Sequence, residues 1–439
     1  MWLWRALLGL VGAVLGVTVG FLCLTRQPAL PAIAAADTAS FDAALVAKGA
    51  DLAMIGNCNV CHTSHDGMPY AGGRPLQTPF GTIYATNITP DPDTGIGSWS
   101  PAAFLRAMRE GVRRDGAHLY PAFPYDHFTR VSPGDLHALY AFLMTREPVR
   151  AHTPANALPF PWSQRALIAA WKLLYFRPGE LKSDPVLSAE LNRGAYLVEG
   201  LAHCGACHTP RNGLGAEQND RYFAGGESEG WHAPALSAAS TTPVPWTSEQ
   251  LFSYLRNGFV APHGVAAGPM QPVADNLGAV AQQDVKAIAA YVAAMIAPAT
   301  VARQPKPSQA RPQANFQSAA RVSTQLNAPH SVDGAVIYAG ACALCHETSG
   351  QQFSAHGIHL AASKLITMPD ARNLAHVILD GIPPPQASPA AQMPGFADAF
   401  TDGQIATLMA YLRRTFSDQP AWRGLEDQVR EARQLPGKP

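Results

Sequence analysis

The chain has no excess charge of either sign, because 32 Lys and Arg balance 32 Asp and Glu among its 439 residues. A nucleic-acid-binding protein usually presents a basic surface, so this balance argues against DNA or RNA as a partner. The sequence also lacks a Ser-His-Asp set, a phosphate-binding glycine loop and a dinucleotide-binding glycine motif. These absences exclude the common hydrolase, nucleotide-binding and nucleic-acid-binding classes.

Cysteine is scarce as well, and nearly all of it is concentrated in one motif. Six of the seven cysteines lie in three copies of Cys-x-x-Cys-His, and only Cys23 remains, within the N-terminal apolar run. No disulfide framework can be built from a single spare cysteine. The copies start 146 and then 138 residues apart and comprise Cys58, Cys61 and His62; Cys204, Cys207 and His208; and Cys342, Cys345 and His346.

The spacing of this motif has a chemical reason. Two thiols three positions apart on one helical turn can form thioethers to the two vinyl groups of one porphyrin, and the adjacent His presents a nitrogen to the iron. A zinc site would need further ligands at matching spacing, which the sequence does not provide. A single copy could be chance or a redox pair, but three copies predict three covalently bound haem c groups, each with its motif His as an iron ligand.

The N-terminus carries an apolar run. Residues 6–24 contain no charge, and as a helix these 19 residues would span roughly 28 Å, close to the ~30 Å hydrocarbon core of a bilayer. Small residues at 32–36 also offer signal-peptidase patterns. Residues 1–30 are therefore predicted to be either a retained membrane anchor or a cleaved signal segment. Both alternatives export the rest of the chain, which places it on the periplasmic side of the bacterial cytoplasmic membrane.

The chain repeats one helical unit three times. Each haem motif is preceded by an approach helix, followed by a helix that ends at a glycine, and completed by a closing helix that opens on an acidic residue. The predicted glycine ends are Gly111, Gly258 and Gly381, and the predicted closing helices span 135–143, 284–295 and 402–412. The fold class is therefore all-α, with three tandem haem domains at residues 37–150, 186–298 and 331–418. Each domain is small, so the haem is expected to form much of its core.

Composition shifts mark the boundaries between these domains. Residues 151–185 form a connecting segment, in which apolar residues between Arg165 and Phe176 recur at helical spacing. That helix either docks on a neighbouring domain or lies on a membrane or partner surface. Residues 299–330 are rich in Pro, Gln, Ala and Ser and are predicted to be an extended linker, and residues 419–439 are predicted to be a C-terminal tail.

Candidates for the second axial ligand of two of the irons lie at the same distance, twelve positions, after the helix-ending glycine. Twelve positions after Gly258 lies Met270, and twelve positions after Gly381 lies Met393. Methionine is a common axial ligand in cytochromes c, where it raises the reduction potential. A lone Met is more often a core residue, but the common register and the adjoining prolines predict that these two are iron ligands.

The same step fails in the first domain, because twelve positions after Gly111 lies Phe123, which cannot bind iron. His127, four residues further on, is the predicted replacement, which would give the first haem two histidines and the lowest potential. A surface or interdomain His127 and a five-coordinate iron remain alternatives, and an open iron would indicate peroxide or small-ligand chemistry. Weaker candidate ligands are His118, Met68, Met108 and Met144.

Three Cys-x-x-Cys-His motifs behind one apolar segment, with Trp-Ser or Trp-Thr helix starts and the glycine-to-methionine register, resemble a known family. They are similar to the triheme cytochrome c subunits of membrane-bound dehydrogenases of acetic-acid and related bacteria. The resemblance covers essentially the whole chain and implies tandem class I cytochrome c domains. It also implies electron transfer from a periplasmic catalytic subunit to ubiquinone in the membrane, with no substrate site on this chain.

One segment bears on the partner. Relatives paired with quinoprotein alcohol dehydrogenases carry Tyr-Pro-Ala-Met-Pro-Tyr where this chain has Tyr120-Pro-Ala-Phe-Pro-Tyr125. The longer run 118–129 looks more like cytochrome subunits that accompany molybdopterin enzymes of the xanthine-oxidase type, including aldehyde dehydrogenases with a separate iron–sulfur subunit. That resemblance favours a molybdopterin partner over a quinoprotein or flavoprotein dehydrogenase. A haem peroxidase and a soluble electron carrier are the alternatives from other functional classes.

Overall fold

The computed structural model describes residues 2–34, 38–240, 242, 244–260, 263–302, 333–346, 360–384 and 393–434. The chain is largely helical, as predicted. It divides into two compact units, of which the first comprises Met1–Asp184, Glu199–His203 and Gly213–Ala216. The second comprises Pro185–Val198, Cys204–Asn212 and Glu217–Pro439, so the second and third haem motifs share one unit.

The first unit is built from helices and one small hairpin. Its helices span Trp2–Thr25, Ala43–Ile55, Cys58–Cys61, Pro101–Glu110, Tyr125–Phe128, Pro133–Met144 and Ala166–Tyr175. The antiparallel hairpin pairs Pro75–Thr78 with Gly81–Tyr84 and was not predicted. The N-terminal helix is present, and within the described stretches of the chain no helix combines the length and the apolar character needed to cross a bilayer.

The second unit contains the other two repeats. Its helices span Ala189–Tyr196, Gly205–His208, Ser248–Asn257, Met270–Ala279, Gln282–Ala302, Gly334–Ala341, Ala343–His346, Lys364–Thr367, Arg372–Asp380, Asp402–Phe416 and Leu425–Gln434. Two more unpredicted hairpins pair Gly226–Ser228 with Trp231–Ala233 and Phe259–Val260 with Gly264–Val265. Short strands of this kind depend on their pairing partner more than on local sequence, which is why their pattern was not visible in advance.

A glycine marks the crossing of approach and closing helices in every repeat. A Cβ atom on Gly49 would collide with the Ala138 carbonyl, on Gly194 with the Ala287 carbonyl, and on Gly334 with the Thr407 carbonyl. The two helix backbones therefore touch, because glycine presents no side chain between them. This contact sets the approach helix, and with it the start of the following haem motif, directly against the closing helix.

Charged residues at two of these crossings reinforce the contact. Lys48 Nζ lies 2.6 Å from Asp135 Oδ1. In the second repeat, the Arg193 guanidinium donates two hydrogen bonds of 2.8 Å each to the Asp284 carboxylate. Both pairs join the approach helix to the first turn of the closing helix. The first two repeats therefore share an ion pair at the same place in the fold.

The third repeat is completed by the segment predicted to be a tail. Helix Leu425–Gln434 buries Val429 and Ala432 in the same core as Ile337, Leu408 and Leu412. Arg433 Nε also donates to Asp402 Oδ1 at 2.8 Å. The compact third repeat therefore continues to residue 434, and the boundary at 418 is too early.

The predicted linker also begins too early. Helix Gln282–Ala302 continues through Pro298 and past the expected boundary at 298. A proline costs a helix one hydrogen bond and a local clash, but it does not always end the helix. Of the predicted linker, residues 303–330 lie outside the described part of the chain.

The helix ends follow the expected signals. Ser100, Ser132 and Ser188 each accept a hydrogen bond from a backbone N–H in the first turn of the helix they precede. Gly111 and Gly258 end their helices at φ 61° and 69°, in the left-handed region that favours glycine. Gly381, the third predicted glycine end, also caps its helix, at φ 75°. All three predicted glycine ends are thus confirmed, and each fixes where the following loop begins.

Helix Ala166–Tyr175, expected between Arg165 and Phe176, docks on the first unit by one face. Trp171 Nε1 donates to the Leu214 carbonyl at 2.9 Å, and Lys172 Nζ donates to the Gly111 carbonyl at 2.8 Å. The Trp171 ring also meets the buried Tyr125 ring edge-on, 6.3 Å between centroids. This helix therefore docks on neighbouring protein, which is one of the two predicted alternatives, although Leu173 and Leu174 are exposed.

Candidate haem sites

The first haem motif forms one tight turn. Cys58 and Cys61 begin and end the helical turn Cys58–Cys61, and His62 follows at its end. His62 Nδ1 lies 2.6 Å from the Thr86 carbonyl oxygen. A carbonyl oxygen only accepts, so the proton sits on Nδ1 and the Nε2 lone pair is left to bind a metal.

The second motif repeats this arrangement. Helix Gly205–His208 presents His208, whose Nδ1 donates to the Pro234 carbonyl at 2.7 Å. Burial lowers the pKa of both His62 and His208, so each imidazole is neutral, which is the form that ligates a metal. Two sites 146 residues apart in sequence therefore orient their histidines in the same way.

The motif thiols are in the state that thioether formation requires. All six are free of disulfide bonds. Burial, followed by the neighbouring motif thiol, raises the pKa of Cys58 and of Cys204 to about 12, which keeps these thiols neutral in apolar surroundings. Paired free thiols beside an oriented neutral imidazole fit a covalently attached haem.

The third motif has the same local geometry. Cys342 caps helix Gly334–Ala341, and the turn Ala343–His346 contains Cys345 and the predicted ligand. The backbone N–H of His346 donates to the Cys342 carbonyl at 3.1 Å, as those of His62 and His208 donate to Cys58 and Cys204 at 3.0 Å. Residues 347–359, which follow, lie outside the described residues.

A further repeated feature was not predicted. Thr63 and Thr209 directly follow their histidines, and each side-chain oxygen accepts the backbone N–H of an aromatic residue, Tyr70 at 3.1 Å and Phe223 at 3.2 Å. Both aromatics hold positive φ, at 64° and 57°. A Cys-His-Thr sequence in both motifs was the available signal, but the unequal loop lengths between Thr and aromatic hid the equivalence.

The loops that follow Gly111 and Gly258 share one path. The Leu119 N–H donates to the Gly111 carbonyl, and the Ala266 N–H donates to the Gly258 carbonyl, both at 2.8 Å and both over eight positions. Met270 then begins helix Met270–Ala279. In the third repeat Met393 pairs with Ile382 through two backbone hydrogen bonds of 2.8 and 3.0 Å. The assignments of Met270 and Met393 as iron ligands remain predictions.

In the first repeat the equivalent position is filled by an aromatic contact. The half-buried Phe123 ring packs against Phe128, with 5.2 Å between centroids. His127 lies in the short helix Tyr125–Phe128, is 1% exposed, and its Nδ1 donates to the Glu199 carbonyl at 2.9 Å. This is the arrangement that His62 and His208 adopt, with the proton on Nδ1 and the lone pair on Nε2. It is consistent with the prediction that His127 is an axial ligand, which stays a prediction.

The weaker candidates for this ligand are less suited. His118 Nε2 lies 2.9 Å from the Thr25 carbonyl, and its Nδ1 lies 3.1 Å from Lys172 Nζ, so both ring nitrogens are occupied. Met68 is 50% exposed, whereas Met108 and Met144 are buried within their helices.

Comparison with known proteins decides the family. The cytochrome c family matches residues 192–295, and the cbb3-type cytochrome c oxidase subunit III family matches residues 331–412, so each match contains one haem motif. The cytochrome subunit of fructose dehydrogenase from Gluconobacter japonicus is 36% identical over 418 residues, which is 90% of this chain and 83% of that relative. The chain belongs to the dehydrogenase cytochrome c subunits.

Two further relatives support this membership. The cytochrome c subunit of alcohol dehydrogenase (quinone) from Gluconobacter oxydans (strain 621H) is 34% identical over 87% of the chain and 80% of its own length. A nicotinate dehydrogenase subunit from Pseudomonas putida is 43% identical over 99% of the chain. This dehydrogenase cytochrome c subunit spans only 36% of the length of that nicotinate dehydrogenase relative.

Membership in the cytochrome c family means that haem c is covalently bound. When bound, the haem supplies one-electron oxidation and reduction at its iron. The protein's own part is to hold the His62 and His208 imidazoles neutral and fixed through their Nδ1 bonds.

Proposed function

We propose that this chain carries three haem c groups and transfers electrons from a periplasmic dehydrogenase to ubiquinone in the cytoplasmic membrane. The observation that carries the proposal is the repetition of one geometry. His62 and His208 both turn Nδ1 to a backbone carbonyl, and three free Cys pairs stand on equivalent turns. The chain has no substrate site of its own in this proposal and acts as the electron-transfer subunit.

The preferred partner is a molybdopterin dehydrogenase with an iron–sulfur subunit, of the aldehyde dehydrogenase type. The sequence of residues 118–129, which resembles the cytochrome subunits of such enzymes, supports it. A quinoprotein or flavoprotein dehydrogenase is the second candidate, because the fructose and alcohol dehydrogenase relatives are covered over most of their length.

The number of haems is tested by the intact mass of the purified chain. Three haem additions are expected, and replacing both Cys of one motif by Ser should remove one addition at a time. A wild-type mass with fewer than three haems would contradict the proposal. The same measurement on the mature N-terminus shows whether the apolar segment is retained or cleaved.

The partner is tested by affinity purification from the native host followed by mass spectrometry. A molybdopterin enzyme is expected in stoichiometric amount, and a quinoprotein or flavoprotein in its place selects the second candidate. Adding the partner's substrate to the complex should reduce the haems, and a water-soluble ubiquinone analogue should reoxidise them. Haems that reduce but are not reoxidised by the quinone would exclude ubiquinone as the acceptor.

The ligand of the first haem separates electron transfer from peroxidase chemistry. In a His127→Ala variant, one haem of the three should become high-spin and bind carbon monoxide, with His118→Ala as the control that leaves the spectra unchanged. If wild-type protein already contains a high-spin haem that binds cyanide, a five-coordinate first iron and the peroxidase alternative gain support.

A further inference from the structure

The second and third repeats meet through a contact that the haem motifs do not require. It joins the strand Trp231–Ala233 of the second repeat to the helix Arg372–Asp380 of the third. The His232 N–H donates to Asn373 Oδ1, and Asn373 Nδ2 donates back to the His232 carbonyl, both at 2.8 Å. The Asn373 side chain thus pairs with the strand edge as another strand would. We call this contact, together with the stacked rings described next, the 231–376 joint.

Two rings stack beside this hydrogen-bonded pair. The indole of Trp231 lies nearly parallel to the imidazole of His376, with 4.8 Å between centroids and 19° between planes. Trp231 is 9% exposed and His376 is 0% exposed. Burial is the main cause that lowers the pKa of His376, and the Asp380 carboxylate, 3.4 Å from His376 Nδ1, opposes that shift. At the rim, Arg372 Nη1 lies 3.3 Å from Glu227 Oε1, and this ion pair between a half-buried guanidinium and an exposed carboxylate contributes little.

The joint lies next to the loops that carry the predicted methionine ligands. A Cβ on Gly268, two residues before Met270, would collide with the Trp231 indole. Trp231 also forms an apolar cluster with Val377 and Ile382, against which the partly buried Met393 packs. The loop before Met270 in the second repeat therefore contacts the Trp231 indole, and Met393 in the third repeat contacts the cluster that this indole forms.

The joint is connected to the histidine side of the second site as well. Strand Trp231–Ala233 is followed directly by Pro234, whose carbonyl accepts the hydrogen bond from His208 Nδ1 at 2.7 Å. A continuous packed path thus runs from the His208 ring, along this strand, through the indole, to the Met393 loop. Both ends of that path are predicted iron ligands, one in each of the two repeats.

We propose that the 231–376 joint fixes the spacing of the second and third haems and that Trp231 carries the electronic coupling between them. The inference rests on the proposed function, since it assumes both haems. The transfer would move one electron from the reduced iron of one repeat to the oxidised iron of the other, with no bond made or broken and no proton moved. Trp231 is a positioning and coupling residue in this scheme and not an iron ligand.

The coupling is tested on the full haem-loaded chain by pulse radiolysis, in which one haem is reduced rapidly and redistribution among haems is followed optically. Trp231→Leu should slow redistribution several-fold, and by more than any change in the spectroelectrochemical midpoint potentials accounts for. Trp246→Leu is the matched control, because Trp246 also stacks on a histidine, His263, at 3.4 Å between centroids but outside the joint. Equal rates in wild type and Trp231→Leu would overturn the role of Trp231.

The docking role is tested separately by Asn373→Ala. Losing two backbone-directed hydrogen bonds should raise the opening constant of the joint about tenfold, which hydrogen exchange detects as faster exchange in strand Trp231–Ala233. Asn192→Ala, whose side chain donates to the start of its own helix, is the control. Unchanged protection in Asn373→Ala would overturn the joint. A chain with three haems by mass but normal kinetics rejects only this inference, whereas fewer haems reject the proposed function.

Discussion

A single methyl group on one glycine should open the third repeat. Gly334 is the first residue of helix Gly334–Ala341 and lies where that helix crosses helix Asp402–Phe416. In Gly334→Ala the new Cβ would be 2.8 Å from Tyr411 Cβ and 2.9 Å from the Thr407 carbonyl carbon, and closer still to the Thr407 oxygen. Ordinary contact begins near 3.4 Å, so the two helices must move apart.

The magnitude follows from two opposing terms. Overpacking of a well-packed contact costs about 1–3 kcal/mol, and the upper end applies because the atoms struck are backbone and Cβ, which no rotamer change can withdraw. Alanine returns up to ~1 kcal/mol of helix propensity relative to glycine. The net loss in the free energy of local unfolding is about 2 kcal/mol, or roughly a 30-fold larger opening constant.

The same helix offers the control. Gly340 is exposed, and a Cβ there would meet no atom within 4 Å among the described residues, so Gly340→Ala makes the same chemical change without the clash. Hydrogen exchange of helix Asp402–Phe416 should accelerate about 30-fold in Gly334→Ala and stay the same or slow in Gly340→Ala. If the amides of this helix are equally protected from exchange in both variants, the backbone contact at Gly334 does not stabilise the repeat.

Three further predictions concern the second and first repeats. Asp284→Asn removes the bidentate partner of Arg193 and should lower the free energy of unfolding by about 1 kcal/mol in urea titrations. Added salt screens the wild-type ion pair, so the difference between wild type and variant should become smaller at high salt. Burial lowers the pKa of His263 to about 4 from 6.5, so the unfolded chain takes up the proton first. Stability should therefore fall as pH drops from 6.5 towards 4, by about 1–2 kcal/mol for this partly solvated ring, and His263→Gln should flatten that part of the thermal-unfolding profile. Phe123→Met places a methionine in the shared register, and one haem potential should rise in a spectroelectrochemical titration if that register locates the iron, but stay unchanged if it does not.

Local signals predicted the helical frame well. Gly111 and Gly258 were expected to end their helices and do so at positive φ, because the requirement for a left-handed residue is written into one position of the sequence. The order of approach helix, haem turn and closing helix was visible for the same reason. Each element is specified by its own periodicity and its own cap.

What the sequence did not reveal depends on partners distant along the chain. The Thr86 and Pro234 carbonyls that orient His62 and His208 are backbone groups, which any residue could supply, and they lie 24 and 26 positions from their histidines. The pairing of Asn373 with the His232 backbone spans 141 positions and has no periodic signature at either end. Tertiary hydrogen bonds of this kind become predictable only once the fold has placed both partners.

The first repeat differs from the other two in its candidates for the second axial ligand, and the structure reduces their number. Phe123 fills the register position against Phe128, and both ring nitrogens of His118 are occupied, so neither can serve the iron. His127 alone among these candidates turns Nδ1 to a carbonyl in the way His62 and His208 do. A methionine ligand raises the reduction potential of a haem, and a histidine ligand does not. Ligation by His127 would therefore give the first haem a lower reduction potential than the second and third. In the proposed function, His127 at the first haem and Met270 and Met393 at the second and third would give a gradient of potentials, with the first haem at one end of the electron path.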